Sequence, residues 1–179
     1  MKSKIFLTIL LLTPLLVLFT STLSFQSGFS PKNTKNNGTF FTEHFDATKL
    51  ILIEGSDSLK FDDGKWLFAT YASNGSDLQK ALYLMRQLNV ALNRDIYKLK
   101  RVIFAQDRGS ITDHLIDYPR TEIIIDSEKK LFEKLLKFGN KKFFLEQKIF
   151  IIDPYGRAVM FFPASMDPKL ILKDLKVLI

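Results

Sequence analysis

The chain has two histidines, His44 and His114, and no cysteine, which leaves little for soft-metal or thiol chemistry. Without a thiolate there is no disulfide exchange, no sulfur nucleophile and no thiolate metal site. His44 sits in Glu43-His44-Phe45-Asp46 and His114 beside Asp113, far apart in sequence. No two candidate ligands show metal-ligand spacing, so both read as partly exposed histidines. No Gly-x-Ser-x-Gly elbow is present, and the eight glycines form neither a phosphate loop nor a dinucleotide fingerprint. Asp62-Asp63-Gly64 lacks the ligand series of a calcium loop and reads as a hairpin turn. Asp107 and Asp113 fall at a strand end, where open α/β sheets gather ligands, but such carboxylates are also ordinary turn residues and helix starters. Met85, Met160 and Met166 are scattered without a Met-x-Met pattern and read as core. The sequence thus predicts no catalytic residue, no metal ligand and no cofactor.

The elements that position these groups begin with an address. Lys2 and Lys4 precede a stretch from Ile5 to Pro31 without a charged residue, and Ile5 to Phe25 is mostly Leu, Ile, Val, Phe and Thr. About 20 apolar residues span a bilayer. Pro14 is tolerable in such a helix, and the leading lysines hold the N-terminus in the cytoplasm. The expectation is an uncleaved anchor over residues 1–25, in a bacterial inner membrane with the remainder in the periplasm. The competing reading is a signal peptide cut near Thr22-Leu23-Ser24. Residues 26–47 read as a linker, rich in Gly, Pro and Asn up to Gly38.

A folded domain is expected over 48–179. Of the net charge of +7, Lys2 and Lys4 carry two. The rest is spread through residues such as Lys80, Arg94, Lys98, Lys100 and Arg101 among acids, and reads as a solvated surface. No aromatic-basic motif supports nucleic acid. Strands are predicted at Lys49–Ile53, from the Asp63-Gly64 turn into Trp66, at Trp66–Ala72, Arg101–Ala105, Thr121–Asp126, Lys148–Asp153 and Arg157–Phe162. The strongest helix places Leu78, Ala81, Leu82, Met85, Leu88 and Leu92 on one face, with Ser76 as N-cap and Asp77 favouring the positive end. Further helices are expected from Ser110 to Asp117, from Ser127 to Phe138, and after Asp167-Pro168 with an apolar face of Leu170, Ile171, Leu175 and Leu178. The order β-β-β-α-β-α-β-α-β-β-α predicts an α/β fold with a central mixed sheet flanked by helices, the thioredoxin-like plan.

Several stretches carry a resemblance: Gly64-Lys65-Trp66-Leu67, the helix text from Lys80 to Gln87, the Asp153-Pro154-Tyr155-Gly156 turn, Asp167-Pro168 through Leu175, and the linker text from Ser27 to Gly38. Together they resemble proteobacterial membrane-anchored cytochrome c oxidase assembly proteins, relatives of the Sco-type copper chaperones. The resemblance implies a thioredoxin-like domain tethered beside respiratory oxidases. In Sco-type relatives a Cys-x-x-x-Cys pair and a distant His bind copper. By the resemblance that pair falls on Asn74 and Leu78, and the His within Lys141–Gln147, where this chain has none. The implied metal site is therefore degenerate, and copper and redox roles do not transfer.

The remaining candidate is the loop Ser73, Asn74, Gly75, Ser76, Asp77 and Leu78, at the start of the long helix. A helix start favours anions or partner carbonyls, and Tyr71, Leu78 and Met85 are expected as an apolar rim. The leading reading is a non-catalytic, membrane-anchored periplasmic protein that supports oxidase assembly by binding oxidase subunits or other assembly factors. The alternatives are a binding module for another envelope partner, or an enzyme with a thiol-free site using Asp107 or His114.

Overall fold

The computed structural model describes residues 2–26, 36–48, 63–73, 77–109, 111, 115–139 and 143–179. The chain divides into two compact units, Met1–Lys35 and Asn36–Ile179.

The first unit contains a single helix, α1, over Lys2–Gln26. Its apolar stretch Lys4–Ser24 has a mean hydropathy of 2.2, long and apolar enough to cross a membrane. A 25-residue helix rises about 37 Å, against a hydrocarbon core of about 30 Å. Thr8, Thr20 and Thr22 hydroxyls donate to carbonyls four residues back, so no hydroxyl among them needs water. Pro14 lacks the N–H that would bond the Leu10 carbonyl. The neighbouring Thr13 hydroxyl reaches that oxygen at 3.2 Å as well as Ile9 O at 2.8 Å.

In the second unit a six-stranded sheet has the order β1-β6-β5-β2-β3-β4. The strands are β1 (Thr39–Phe40), β2 (Trp66–Tyr71), β3 (Leu99–Ala105), β4 (Thr121–Ile125), β5 (Lys148–Ile152) and β6 (Ala158–Pro163). β2, β3 and β4 run parallel, whereas β5 is antiparallel to β2 and to β6. The parallel pairs are those whose connections run through helical or turn segments, as crossover geometry requires. Asp153 builds the β5–β6 turn: its carboxylate accepts from the Tyr155 and Arg157 amides and from Arg157 Nε at 2.7 Å. Gly156 supplies the positive φ of +85° that this turn needs.

Helices α2 (Leu78–Ala91) and α4 (Pro168–Leu178) pack on one face of the sheet. All six apolar residues predicted for the long helix face are buried. The Asp167 carboxylate accepts from Lys169 N, with Pro168 next, as the cap pattern predicts. Within α4, Ile171 and Leu175 are buried but Leu170 is 40% exposed, so the apolar stripe is narrower than expected. The other face holds α3 (Lys130–Phe138) over an aromatic core that includes Phe41, Phe45, Phe143, Phe150 and Phe161.

From sequence alone, residues 36–47 read as part of the linker. The structure instead places them in the second unit: Phe40 pairs with Met160, and Phe41, Phe45 and Ala47 are buried in the aromatic core. Asp174 of α4 ties the segment down, accepting from Asn37 N at 2.7 Å and from Gly38 N at 2.8 Å. Arg101, expected on the solvated surface, is buried. The predicted first strand at 49–53 and much of the helix from Ser110 to Asp117 lie outside the described residues.

Candidate functional site

β2 ends at Tyr71, and the chain passes through Ala72 and Ser73 to α2. Three parallel strands finish here, so Ala72 and Ser73 lie at the carboxyl ends of the sheet, where open α/β folds place ligands. The Ala72 amide bonds Phe104 O at 2.7 Å and the Asp126 amide bonds Ala105 O at 2.7 Å, which extends the ladder past the strand ends.

Ser73 is half-buried and Asp77 exposed. Asp77 makes no side-chain cap bond; its carboxylate pairs with Lys80 at 2.5 Å. Leu78 points inward, 5% exposed, into a cluster with Leu82, Ile103, Ala105, Ile111 and Tyr118. Asn74, Gly75 and Ser76 lie outside the described residues, as do Asp113 and His114. Asp107 is exposed beyond β3. His44 lies elsewhere, beside β6, with Nδ1 3.2 Å from Ala158 O. Among the described residues no cluster of three His, Asp or Glu side chains is placed to hold a metal.

Tyr71, Leu78 and Met85, expected as a rim, are 2%, 5% and 0% exposed and form core instead. They fill both faces of the sheet because a central strand and its covering helix bury their apolar positions completely. Among the described residues, half-buried apolar groups at this end include Ala72, Leu115 and Ile125 around the Leu78 cluster, and Phe132 and Phe144 around Tyr71. These rings stack at 4.4 Å and 12°, and each packs on Tyr71, at 5.5 and 5.6 Å. They come from α3 and from the turn before β5, so sequence spacing gives no sign that they meet.

Behind them is a buried polar network. Tyr71 donates its hydroxyl to Asp126 Oδ2 at 3.0 Å. The same carboxylate accepts from Leu131 N at 3.2 Å and Phe132 N at 2.9 Å, so Asp126 caps α3. Burial, and then the Asp126 charge beside it, push the Tyr71 phenol well above its ordinary value, so it stays protonated. Gln147 donates to Thr70 Oγ1 and to Tyr71 O at 3.0 Å. Every member of this network is engaged in holding the strand end. The arrangement supplies a rigid, thiol-free surface with no activated nucleophile among the groups described.

Residues 66–179 match the family described as transmembrane-like, thioredoxin-like, C-terminal domain. The chain has no match among curated protein sequences. Among solved structures it is similar to apo Sco1 from Thermus thermophilus, at 13% identity and a TM-score of 0.57, covering 84% of this chain and all of that one. It is also similar to a mutant PrxQ from Xylella fastidiosa, at 16% identity and a TM-score of 0.50, covering 79% of this chain and 98% of that one. At such identities these likenesses establish the thioredoxin-like fold.

Proposed function

The chain belongs to the family of transmembrane-like, thioredoxin-like C-terminal domains, and from that premise we propose that it is a single-pass inner-membrane protein that supports cytochrome c oxidase assembly. In this reading α1 anchors the chain, residues 36–179 face the periplasm, and the action is protein–protein binding without catalysis. The observation that carries it is a retained thioredoxin-like scaffold in a chain without a single cysteine, behind a helix of membrane-spanning length. The sequence resemblance to oxidase assembly proteins supplies the process, and the fold it shares with Sco1 supports it.

The partner docks, in this proposal, on the Ser73–Leu78 loop and on the Phe132–Phe144 stack that packs against Tyr71. A half-exposed aromatic pair held by a rigid strand end offers apolar anchoring at low entropic cost. Strains lacking the gene should lose oxidase activity and haem–copper subunit together, and restoring the chain should recover both. Unchanged subunit and activity in the deletion strain would refute the assembly role. The orientation is tested separately: alkaline phosphatase fused after Ile179 should be active, and an inactive fusion refutes a periplasmic domain.

A further inference from the structure

The opposite end of the sheet carries a second feature, built where the parallel strands begin. Lys65 precedes β2, Lys100 and Arg101 lie in the first half of β3, and Arg120 precedes β4. With Asn89 of α2 and Tyr97 above them they line a pocket of about 340 Å³. Register explains the convergence: Trp66 pairs with Leu99, and Arg101 with Thr121, so these cations arrive at one rim.

Arg101 is the unusual member. It is 8% exposed, yet its Nη1 is buried without a hydrogen-bond partner, and no carboxylate pairs with it among the described residues. Desolvating a guanidinium without a counter-ion is unfavourable, and buried charges are normally paired. Its nearest charges make matters worse. Burial, then Arg86 and Arg120, pull the Arg101 guanidinium below the ordinary arginine value. Among the described residues two acids are nearby. Asp63 is engaged by Lys100 and, at 3.9 Å, by Lys65, and Glu122 is an exposed residue of the lining. They leave the cations in excess.

We propose that this pocket binds a phosphate group, with Arg101 and Arg120 as the principal contacts and Lys100 at the rim. Guanidinium forks match the oxygens of carboxylate and phosphate alike, and the several cations gathered here favour the more highly charged phosphate. A pocket of 340 Å³ admits a phosphate with a small substituent rather than a large cofactor. The same chemistry is offered by a soluble phosphate and by the headgroup of an anionic phospholipid.

The test uses the full chain, first in a neutral detergent with inorganic phosphate as probe, then in phosphatidylcholine nanodiscs with and without phosphatidylglycerol. Trp66, the single tryptophan, adjoins Lys65 and reports thermal unfolding by its fluorescence. Saturable stabilisation by phosphate, weakened about tenfold or more in Arg120→Gln, is expected. Arg101→Met should abolish the response while leaving the phosphate-free protein at least as stable as the parent, because an unpaired buried charge has been removed. Stabilisation by free phosphate identifies a soluble ligand, and stabilisation confined to phosphatidylglycerol nanodiscs identifies a headgroup. No response in either medium, or one that persists unchanged in both variants, overturns the proposal. So does destabilisation by Arg101→Met equal with and without phosphate, which would make Arg101 a structural residue.

Discussion

Replacing Asp126 by alanine strands three donors at once, and the consequence can be worked from the geometry. The side chain caps α3 through the Leu131 and Phe132 amides and accepts the Tyr71 hydroxyl at 3.0 Å. Loss of a helix cap costs about 1 kcal/mol. A buried hydroxyl left without an acceptor costs about 1–3 kcal/mol. Asp126→Ala should therefore destabilise by about 3 kcal/mol, a large share of a typical 5–15 kcal/mol. Tyr71→Phe removes the donor and should cost only about 1 kcal/mol, since Asp126 keeps its two amides. The double variant should then be less than additive, with a coupling of about 1–2 kcal/mol. Urea unfolding of the full chain in neutral detergent, followed by Trp66 fluorescence, measures all three. An Asp126→Ala cost below about 1 kcal/mol, or strict additivity with Tyr71→Phe, would show that the carboxylate does not hold the strand end and the helix start together.

Other perturbations follow from the same kind of reading. The raised Tyr71 value means the folded state holds the neutral phenol, so the stability it contributes is intact below 10.0 and falls as pH rises past it. Alkaline ultraviolet titration of the five tyrosines should accordingly leave Tyr71 un-ionised until unfolding, and a phenolate at this residue in the folded chain would contradict that. Asp174→Ala should cost about 2 kcal/mol and speed amide exchange at Asn37 and Gly38, whose amides it accepts; unchanged exchange there would dismiss the tether. Gly156→Ala drives a Cβ into Thr48 Cγ2 at a φ of +85°, and a loss of more than about 1 kcal/mol is expected in the same urea assay.

What could be read from the sequence was local. The α2 face, the Asp167-Pro168 start and the Asp153 turn each follow from a few neighbouring residues, and the structure carries all three. The misreadings involve partners distant in the chain. Thr39–Phe40 is too short to show a period of two, so its pairing with β6 left no trace in the text. Asp126 reads as the last residue of a strand because its acceptor role reaches five and six residues ahead and back to Tyr71. Arg101 reads as one more surface charge, since alternation cannot tell which strand end lies beneath a helix. The α2 pattern points to the candidate loop, but the stacked Phe132 and Phe144 on Tyr71 come from separate elements that only the fold brings together.

The segment that follows the first unit covers one margin of the sheet. From Thr39 to Asp46 it lies along the outer side of β6: Thr39 and Phe40 pair with Phe161 and Met160, Phe41 N donates to Val159 O, and Asp46 bridges to Arg157. It occupies hydrogen-bonding groups that would otherwise offer a template to another chain's strand. A chain shortened to begin at Thr48 would keep every other strand and all the helices of the sheet, yet it would bare that margin together with the aromatic pockets left by Phe41 and Phe45. Such a fragment should self-associate through β6 where the full chain does not, and on that expectation the short stretch between α1 and the sheet is a selvedge against neighbouring copies knitting together.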